Sequence, residues 1–277
     1  MVLLEFRPSP FLSEFIRTYR IVHFVFDSSV VVPFKPYPPR PEQCLSFFPK
    51  ETETFECPAN NKQVSNLKTV LCGQQNELTN RYPSNDFLNF QIVFQPGGLY
   101  RLTGMPSNEL TNAYIDAETV FPKSIKEVND RLNEATTYNQ MVETVEAFLL
   151  QQVNRFSKEY HRMDVVSRQI LNASEIYSVD WLARESCLST RQYERKFVER
   201  MGVSPKHFCN IAQFEKAYRM KNKFPHFDWL TIAIHCGYYD YQHLSKAYQK
   251  FTQQSPTEFH LLDLQAPERK FGEPDTY

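Results

Sequence analysis

The chain has 277 residues, 42% of them apolar and 14% aromatic, with a formal net charge of −1. This length and apolar content suit two domains with their own cores and exclude a disordered chain or a coiled coil. No apolar run reaches membrane-spanning length, and Glu5 and Arg7 interrupt the stretch where a signal peptide would be apolar. A cytoplasmic protein without a membrane partner is therefore expected. The six cysteines (Cys44, Cys57, Cys72, Cys187, Cys209, Cys236) form no CxxC pair, and no HxH or HExxH arrangement occurs. No cofactor, metal site or catalytic residue is expected. The near-neutral total hides an asymmetry: residues 161–262 contain 14 Lys and Arg against 10 Asp and Glu, a balance that permits phosphate contacts.

In chain order, Ser9-Pro10 reads as a helix start, with Phe11, Leu12, Phe15, Ile16 and Tyr19 on one face. Short Val-, Ile- and Phe-rich runs follow at Ile21–Phe26, Val30–Phe34, Cys44–Phe48, Leu67–Cys72 and Asn89–Phe94, separated by clusters such as Pro36–Pro41. They predict an antiparallel cupin-like barrel or sandwich. After Pro96-Gly97-Gly98 the period becomes helical, at Leu99–Leu102, Ile125–Leu132 and Asn139–Phe156. Met141, Val142, Val145, Phe148, Leu149 and Val153 form an apolar stripe on the last of these. Polar Ser157–His161 reads as a linker.

Beyond it the chain repeats itself at a spacing of 50 to 51 residues. Leu182-Ala183 corresponds to Ile232-Ala233, Tyr193 to Leu244, Phe197 to Tyr248, Ser204-Pro205 to Ser255-Pro256, and Phe208 to Phe259. Each copy reads as helix, tight turn, helix. Ser178 caps the first helix, Ser186–Leu188 makes the turn, and Ser189 caps a helix that Gly202 ends. In the second copy Asp228, Gly237 and Asp240 play these parts. Between the copies, Ser204 and Pro205 start a helix that stops before Pro225. At 1.5 Å per residue it is a rod of roughly 27 Å, close to the roughly 34 Å between successive major-groove openings on one face of DNA.

Two stretches, LARESCLSTRQYERKFVERMGVSPKHF from Leu182 and IAIHCGYYDYQHLSKAYQKFTQQSPTEF from Ile232, resemble the paired helix-turn-helix units of the AraC/XylS family of bacterial transcription regulators. Residues 91–116, with CGQ at 72–74, are similar to the N-terminal region often attached to that module. Three positions depart from the family pattern: Cys187 and Gln253 stand where glycines are usual, and Gln213 where the linker helix commonly has arginine.

The fold class expected is α+β in two domains: a β-rich N-terminal domain with trailing helices over 1–157, and an all-α domain with two helix-turn-helix units joined by a linker helix over 158–262. A polar tail is expected over 263–277. The resemblance implies a sequence-specific DNA-binding regulator, with double-stranded DNA and RNA polymerase as partners and a sensing or dimerising N-terminal domain. Because Tyr193, Phe197, Leu244 and Tyr248 must pack inward, the opposite faces are available for bases. Of the residues these faces leave free, Arg191, Gln192, Glu194 and Arg195 in the first copy and Tyr241, Gln242, Ser245 and Lys246 in the second, the resemblance implies Arg191, Glu194, Arg195, Gln242, Ser245 and Lys246 as the base readers: Arg forks onto guanine, Gln pairs with adenine, and Glu accepts from cytosine. Thr190, Lys196, Arg200, Lys206, Tyr241 and Lys250 are the phosphate candidates. For all of them the plain alternative is a solvated helix face, and for Glu194 with Arg191 an i to i+3 ion pair.

For a small-molecule effector the β domain offers Phe24, Phe26, Tyr37, Phe47, Phe90 and Phe94, with Arg40 and Arg81 as anion-binding candidates; the alternative for the aromatics is ordinary core. His23 is the one histidine before residue 160. A cupin-like enzyme and a module that binds proteins rather than DNA are the rival functions, and a homodimer is a further partner to consider.

Overall fold

The computed structural model describes residues 1–121, 124–156, 158–172 and 177–272. The expected boundary at residue 157 and the last five residues of the expected tail lie outside them. Ten strands are described: β1 (Val2–Phe6), β2 (Ile16–Val25), β3 (Lys35–Tyr37), β4 (Cys44–Phe47), β5 (Thr54–Cys57), β6 (Lys62–Val64), β7 (Thr69–Cys72), β8 (Thr79–Tyr82), β9 (Asp86–Phe94) and β10 (Tyr114–Asp116). They form two antiparallel sheets, a larger one ordered β1-β2-β9-β4-β7-β10 and a smaller one ordered β3-β8-β5-β6. The sheets face each other as a sandwich and do not close into a barrel.

The two-residue period of the strands sorts their side chains. Register pairs Tyr19 with Ile92 and Ile21 with Phe90, and places Leu45 and Phe47 opposite Ile92 and Phe90. These residues share one face and are fully buried. That face is covered by α1 (Gly98–Thr103), α2 (Ser124–Glu134) and α3 (Tyr138–Phe156). Met141, Val145, Phe148, Leu149 and Val153 of α3 lie on its core side, as their helical spacing requires. The alternate residues, Phe24, Val70 and Phe87, point the other way and pack with Phe48 and Phe55 between the sheets.

Two expectations are corrected here. Residues 10–15 form a turn and no helix, because Ile16 already pairs with Phe94 and the chain from there on belongs to β2. Leu12, Phe15, Ile16 and Tyr19 are buried as predicted, but Phe11 is 58% exposed. The strand expected at Val30–Phe34 is a loop, with Val31 90% exposed. The ladder is made instead by β3, whose Pro36 is tolerated because β3 is an edge strand.

The C-terminal part is helical: α4 (Arg162–Asn172), α5 (Val179–Glu185), α6 (Thr190–Met201), α7 (Pro205–Lys223), α8 (Trp229–His235), α9 (Tyr241–Thr252), α10 (Pro256–Asp263) and α11 (Pro267–Phe271). α4 has no counterpart in the sequence reading. Its Met163, Val166 and Ile170 complete the core of the first unit, and Ser167 Oγ lies 3.1 Å from Tyr193 OH. In the stretch expected to be a polar tail, Ala266, Pro267 and Glu268 are buried, because α11 docks on the sandwich.

The helical part is fastened to the sandwich through the end of α6. Gly97 N–H points at Met201 Sδ (3.1 Å), Ser107 Oγ donates to the Arg200 carbonyl (2.8 Å), and Thr111 Oγ1 donates to that of Gly202 (2.9 Å). Gly202 (φ 82°) ends α6 in the left-handed region, and a Cβ there would lie 2.7 Å from the Ser107 carbonyl oxygen.

Candidate nucleic-acid interface

Each unit is built by caps, a short turn and one buried alanine. In the first, Ser178 Oγ accepts from Trp181 N–H, and Ser189 caps α6 with Gln192 completing a capping box. Ala183 of α5 is 1% exposed, so α6 crosses close above it and lays Tyr193 and Phe197 into the core with Phe208. The second unit repeats the plan. Asp228 caps α8, Asp240 caps α9, and Leu244, Tyr248 and Phe251 pack on Ile232, Ala233, Phe214 and Phe259. Gly237 makes the turn at φ 78°, whereas Cys187, the corresponding residue of the first turn, takes φ 57° with a side chain. A similar left-handed residue, Gln253 at φ 60°, ends α9.

The two units sit on α7, a continuous helix of 19 residues, about 28 Å long. Ile211, Phe214, Ala217 and Tyr218 of this rod are shared with the second core, Phe208 and Cys209 with the first. Gln213 Nε2 donates to the Cys236 carbonyl at 3.1 Å, tying the rod to the end of α8.

The faces turned away from these cores carry the candidates. Arg191, Glu194 and Arg195 on α6, and Gln242 and Lys246 on α9, are exposed, with Ser245 half-buried. Among the described residues none of these six side chains makes a hydrogen bond or ion pair within the protein, so the Arg191–Glu194 pair is not formed. Both recognition faces thus present unsatisfied donors and acceptors from equivalent positions. Gln192 shares the first face, but its amide oxygen accepts from Ser189 N–H (3.1 Å) in the capping box.

The phosphate candidates divide. Lys206, Tyr241 and Lys250 are exposed, and Thr190 and Lys196 are half-buried. Thr190 Oγ1 already donates to Asp180 Oδ1 (2.7 Å), which leaves its helix-terminal amide for an anion. Lys250 Nζ lies 3.4 Å from His207 Nδ1, and burial together with Lys250 lowers the pKa of that histidine. Arg200 is a correction. It is 8% exposed, and its Nη1 donates to both carboxylate oxygens of Asp164 at 2.9 Å. It faces α4 and the sandwich, where no phosphate reaches.

What holds α6 from behind carries no local sequence signal: Asp164, the Tyr100 OH bond to Glu199 Oε1 (3.1 Å), and Ser107. Only Gly97 had a visible signal, as part of the pair at which the period changes. In the β domain, Phe47, Phe90 and Phe94 are core beneath the helices, while Phe24 and Phe26 belong to the inter-sheet cluster. Tyr37 lies beneath two guanidiniums, Arg81 at 3.6 Å and Arg40 at 4.6 Å from its ring centre. His23 Nδ1 is 2.9 Å from Tyr138 OH.

A helix-turn-helix domain model matches residues 182–260, the span of the repeated units. The C-terminal domain is of the AraC/XylS type. A domain of this AraC type makes the protein a DNA-binding transcription regulator. A domain of unknown function (DUF6597) matches residues 4–116, which hold β2 to β10 and the end of β1. No curated relative matches the sequence. Among solved structures the chain is similar to ToxT from Vibrio cholerae O395 (11% identity, 88% of this chain and 96% of that chain, TM-score 0.47). It is also similar to a second Vibrio cholerae ToxT crystal form (11%, 88% and 98%, 0.49) and to ToxT of strain SCE256 with an unsaturated fatty acid bound (12%, 86% and 94%, 0.48). No helix among the described residues is long and apolar enough to cross a membrane.

Proposed function

We propose that the protein regulates transcription by reading one DNA face with both units at once, α6 and α9 entering successive major-groove segments. Arg191, Glu194, Arg195, Gln242, Ser245 and Lys246 read bases. Lys196, Lys206, Tyr241, Lys250 and the Thr190 amide contact phosphates and set the register. The observation that carries this reading is the matched pair of unengaged polar faces on a rod about 28 Å long. A solvated face needs no such equivalence between two copies. The N-terminal domain senses a small molecule or pairs with a second copy, and RNA polymerase is the partner on the promoter.

Selection of bound fragments from a random DNA pool with the full chain tests this. The expected product is a bipartite, asymmetric site whose elements lie about 10 base pairs apart, bound with an affinity that falls steeply as salt rises. Enrichment of a single short element, or of nothing, overturns it.

A further inference from the structure

Between the sheets, at the end where β3 and β8 meet α11, lies a cavity of about 80 Å³. Its walls combine the apolar Val22, Phe24 and Phe87 with a basic group made of Arg20, Lys35 and Arg81. Into this end reaches Glu268 of α11, whose side chain is 4% exposed and forms an ion pair with Lys35 Nζ. Arg81 Nε and Asn89 Oδ1, on residues lining the same space, have no hydrogen-bond partner among the described residues. Both residues are more than nine-tenths buried. A polar atom left unsatisfied at that depth costs free energy unless something polar arrives to meet it. The other buried carboxylate of the cavity, Glu53, has its pKa pushed up to about 7 by burial against the pull of Arg81 and Lys35. At pH 7 it is therefore about half protonated and offsets only part of the positive charge of Arg20, Lys35 and Arg81.

The neighbour of Glu268 faces the other way. Arg269 Nε and Nη2 donate to Asp263 Oδ2 of α10 at 3.2 and 3.0 Å, and Tyr218 OH of α7 donates to Asp263 Oδ1 at 2.9 Å. Phe271, at the end of α11, packs on Phe26 of the sandwich with ring centres 4.7 Å apart. Two consecutive residues of one short helix thus hold the inter-sheet cavity on one side, and the second helix-turn-helix unit with its linker helix on the other.

We propose that this cavity binds a small organic carboxylate with an apolar body, that Glu268 occupies the place of the ligand carboxylate, and that ligand entry releases α11 from the sandwich. The exchange is reversible and non-covalent. The ligand carboxylate takes the Lys35 ammonium, its second oxygen accepts from Arg81 Nε, and its apolar body lies against Phe24 and Phe87. Glu268 moves out to water, where its charge is solvated. Because α11 stays attached to α10 through Arg269, its release changes the tether on the second recognition unit. This deepens the sensor role proposed above by naming the ligand class and the element that carries the signal.

The test uses the full chain with benzoate as the probe and benzamide as its uncharged counterpart, reading calorimetric binding and hydrogen exchange of amides 264–272. Saturable benzoate binding is expected, with exchange over 264–272 at least tenfold faster at saturation and no effect of benzamide. Glu268→Gln should exchange fast without ligand and bind benzoate about tenfold more tightly, having lost the competing carboxylate. Glu268→Ala should behave alike and guards against a fault peculiar to one substitution. If benzoate binds neither variant more tightly than the parent protein, or binds without speeding exchange in the parent, the proposal is overturned. Neither measurement involves DNA. A failure of the DNA selection would remove the regulator reading and leave this result standing, and the converse also holds.

Discussion

Arg200 and Asp164 form a buried ion pair that joins the first recognition helix to α4, with Arg200 Nη1 2.9 Å from both carboxylate oxygens. Burial pushes the Asp164 carboxyl up, and Arg200 draws it only part of the way back. The pair is thus held at a desolvation cost that its attraction offsets only while both partners are present. Arg200→Ala should destabilise the fold by about 3–5 kcal/mol in urea unfolding, because it leaves the buried Asp164 carboxylate without its ion-pair partner. Arg200→Met with Asp164→Leu should recover most of that loss. The double variant should also keep the parent's salt dependence of DNA binding, whereas removal of a true phosphate contact lowers the slope by about 1. A lowered slope would return Arg200 to the phosphate set.

Arg195 and Lys246 sit on the exposed faces of α6 and α9, without intramolecular partners and off both cores. Arg195→Ala and Lys246→Ala should each weaken binding to a selected site by about 1–3 kcal/mol and relax sequence preference at one position of the matching element. Thermal unfolding should stay within about 0.5 kcal/mol of the parent, since neither side chain is packed. Footprinting the selected site with each variant decides the matter. Undiminished protection by both variants would remove these two residues from the base-reading set.

Lys206 and Lys250 should behave differently from that pair. Each is exposed near a helix end, Lys206 in the first turn of α7 and Lys250 in the last turn of α9. Substitution of either by Ala should weaken binding about equally to selected and to random DNA, and lower the salt slope by about 1. A change confined to one sequence would reassign the residue to base reading.

The helical half was legible because its signals are local. A Ser or Asp cap, an apolar stripe and a stop lie within one element, so every helix from α5 to α9 starts at its predicted cap. The exposed faces were legible for the same reason, since whatever stands opposite Tyr193 and Phe197 must face out. Arg200 was misread because its partner lies 36 residues away, on a helix that the sequence reading lacked. The start of β2 was misread because Leu12, Phe15, Ile16 and Tyr19 have helical spacing. Their burial comes from two causes, a turn followed by a strand paired to β9. The cavity under α11 was out of reach altogether. Tyr37 and Arg81 were singled out as residues, but their stacking depends on sheet register, and Glu268 comes from a segment that reads as a polar tail.

Cys187 and Gln253 hold left-handed backbone with side chains attached, at φ 57° and 60°. Such a conformation costs a non-glycine residue about 1–2 kcal/mol, and part of that returns when glycine loses more chain entropy on folding. Cys187→Gly and Gln253→Gly should each raise stability by about 0.5–1 kcal/mol, and the two should add because they lie in separate units. Chemical denaturation of the single and double variants measures this. Neither substitution touches a base-reading residue, so DNA affinity should be unchanged. A destabilised Cys187→Gly would show that the contact between Arg162 Nη1 and Cys187 Sγ at 3.5 Å outweighs the backbone strain.

Two buried glutamates of the sandwich give stability opposite pH dependences. Burial raises the pKa of Glu42, but Arg20, Arg17 and Arg40 together overcome this and hold its carboxyl well below the usual range. Its contribution is complete above its unfolded value near 4.5 and is lost as the pH falls through the folded value. For Glu53, burial dominates and the folded pKa rises to about 7 from 4.5. Folding therefore favours its protonated form, and the corresponding stability is present below about pH 4.5 and disappears as the pH rises through 7. A shift of this size amounts to about 3 kcal/mol between the two limits. Glu53→Gln stays neutral throughout, so the difference in unfolding free energy between parent and variant should move by about 2.5 kcal/mol in favour of the variant between pH 5 and pH 8. Urea denaturation across that range tests it. A difference constant within about 0.5 kcal/mol would mean that Glu53 is already ionised at pH 5, held there by Arg81 and Lys35, and that it is fully charged in the cavity under α11 at neutral pH.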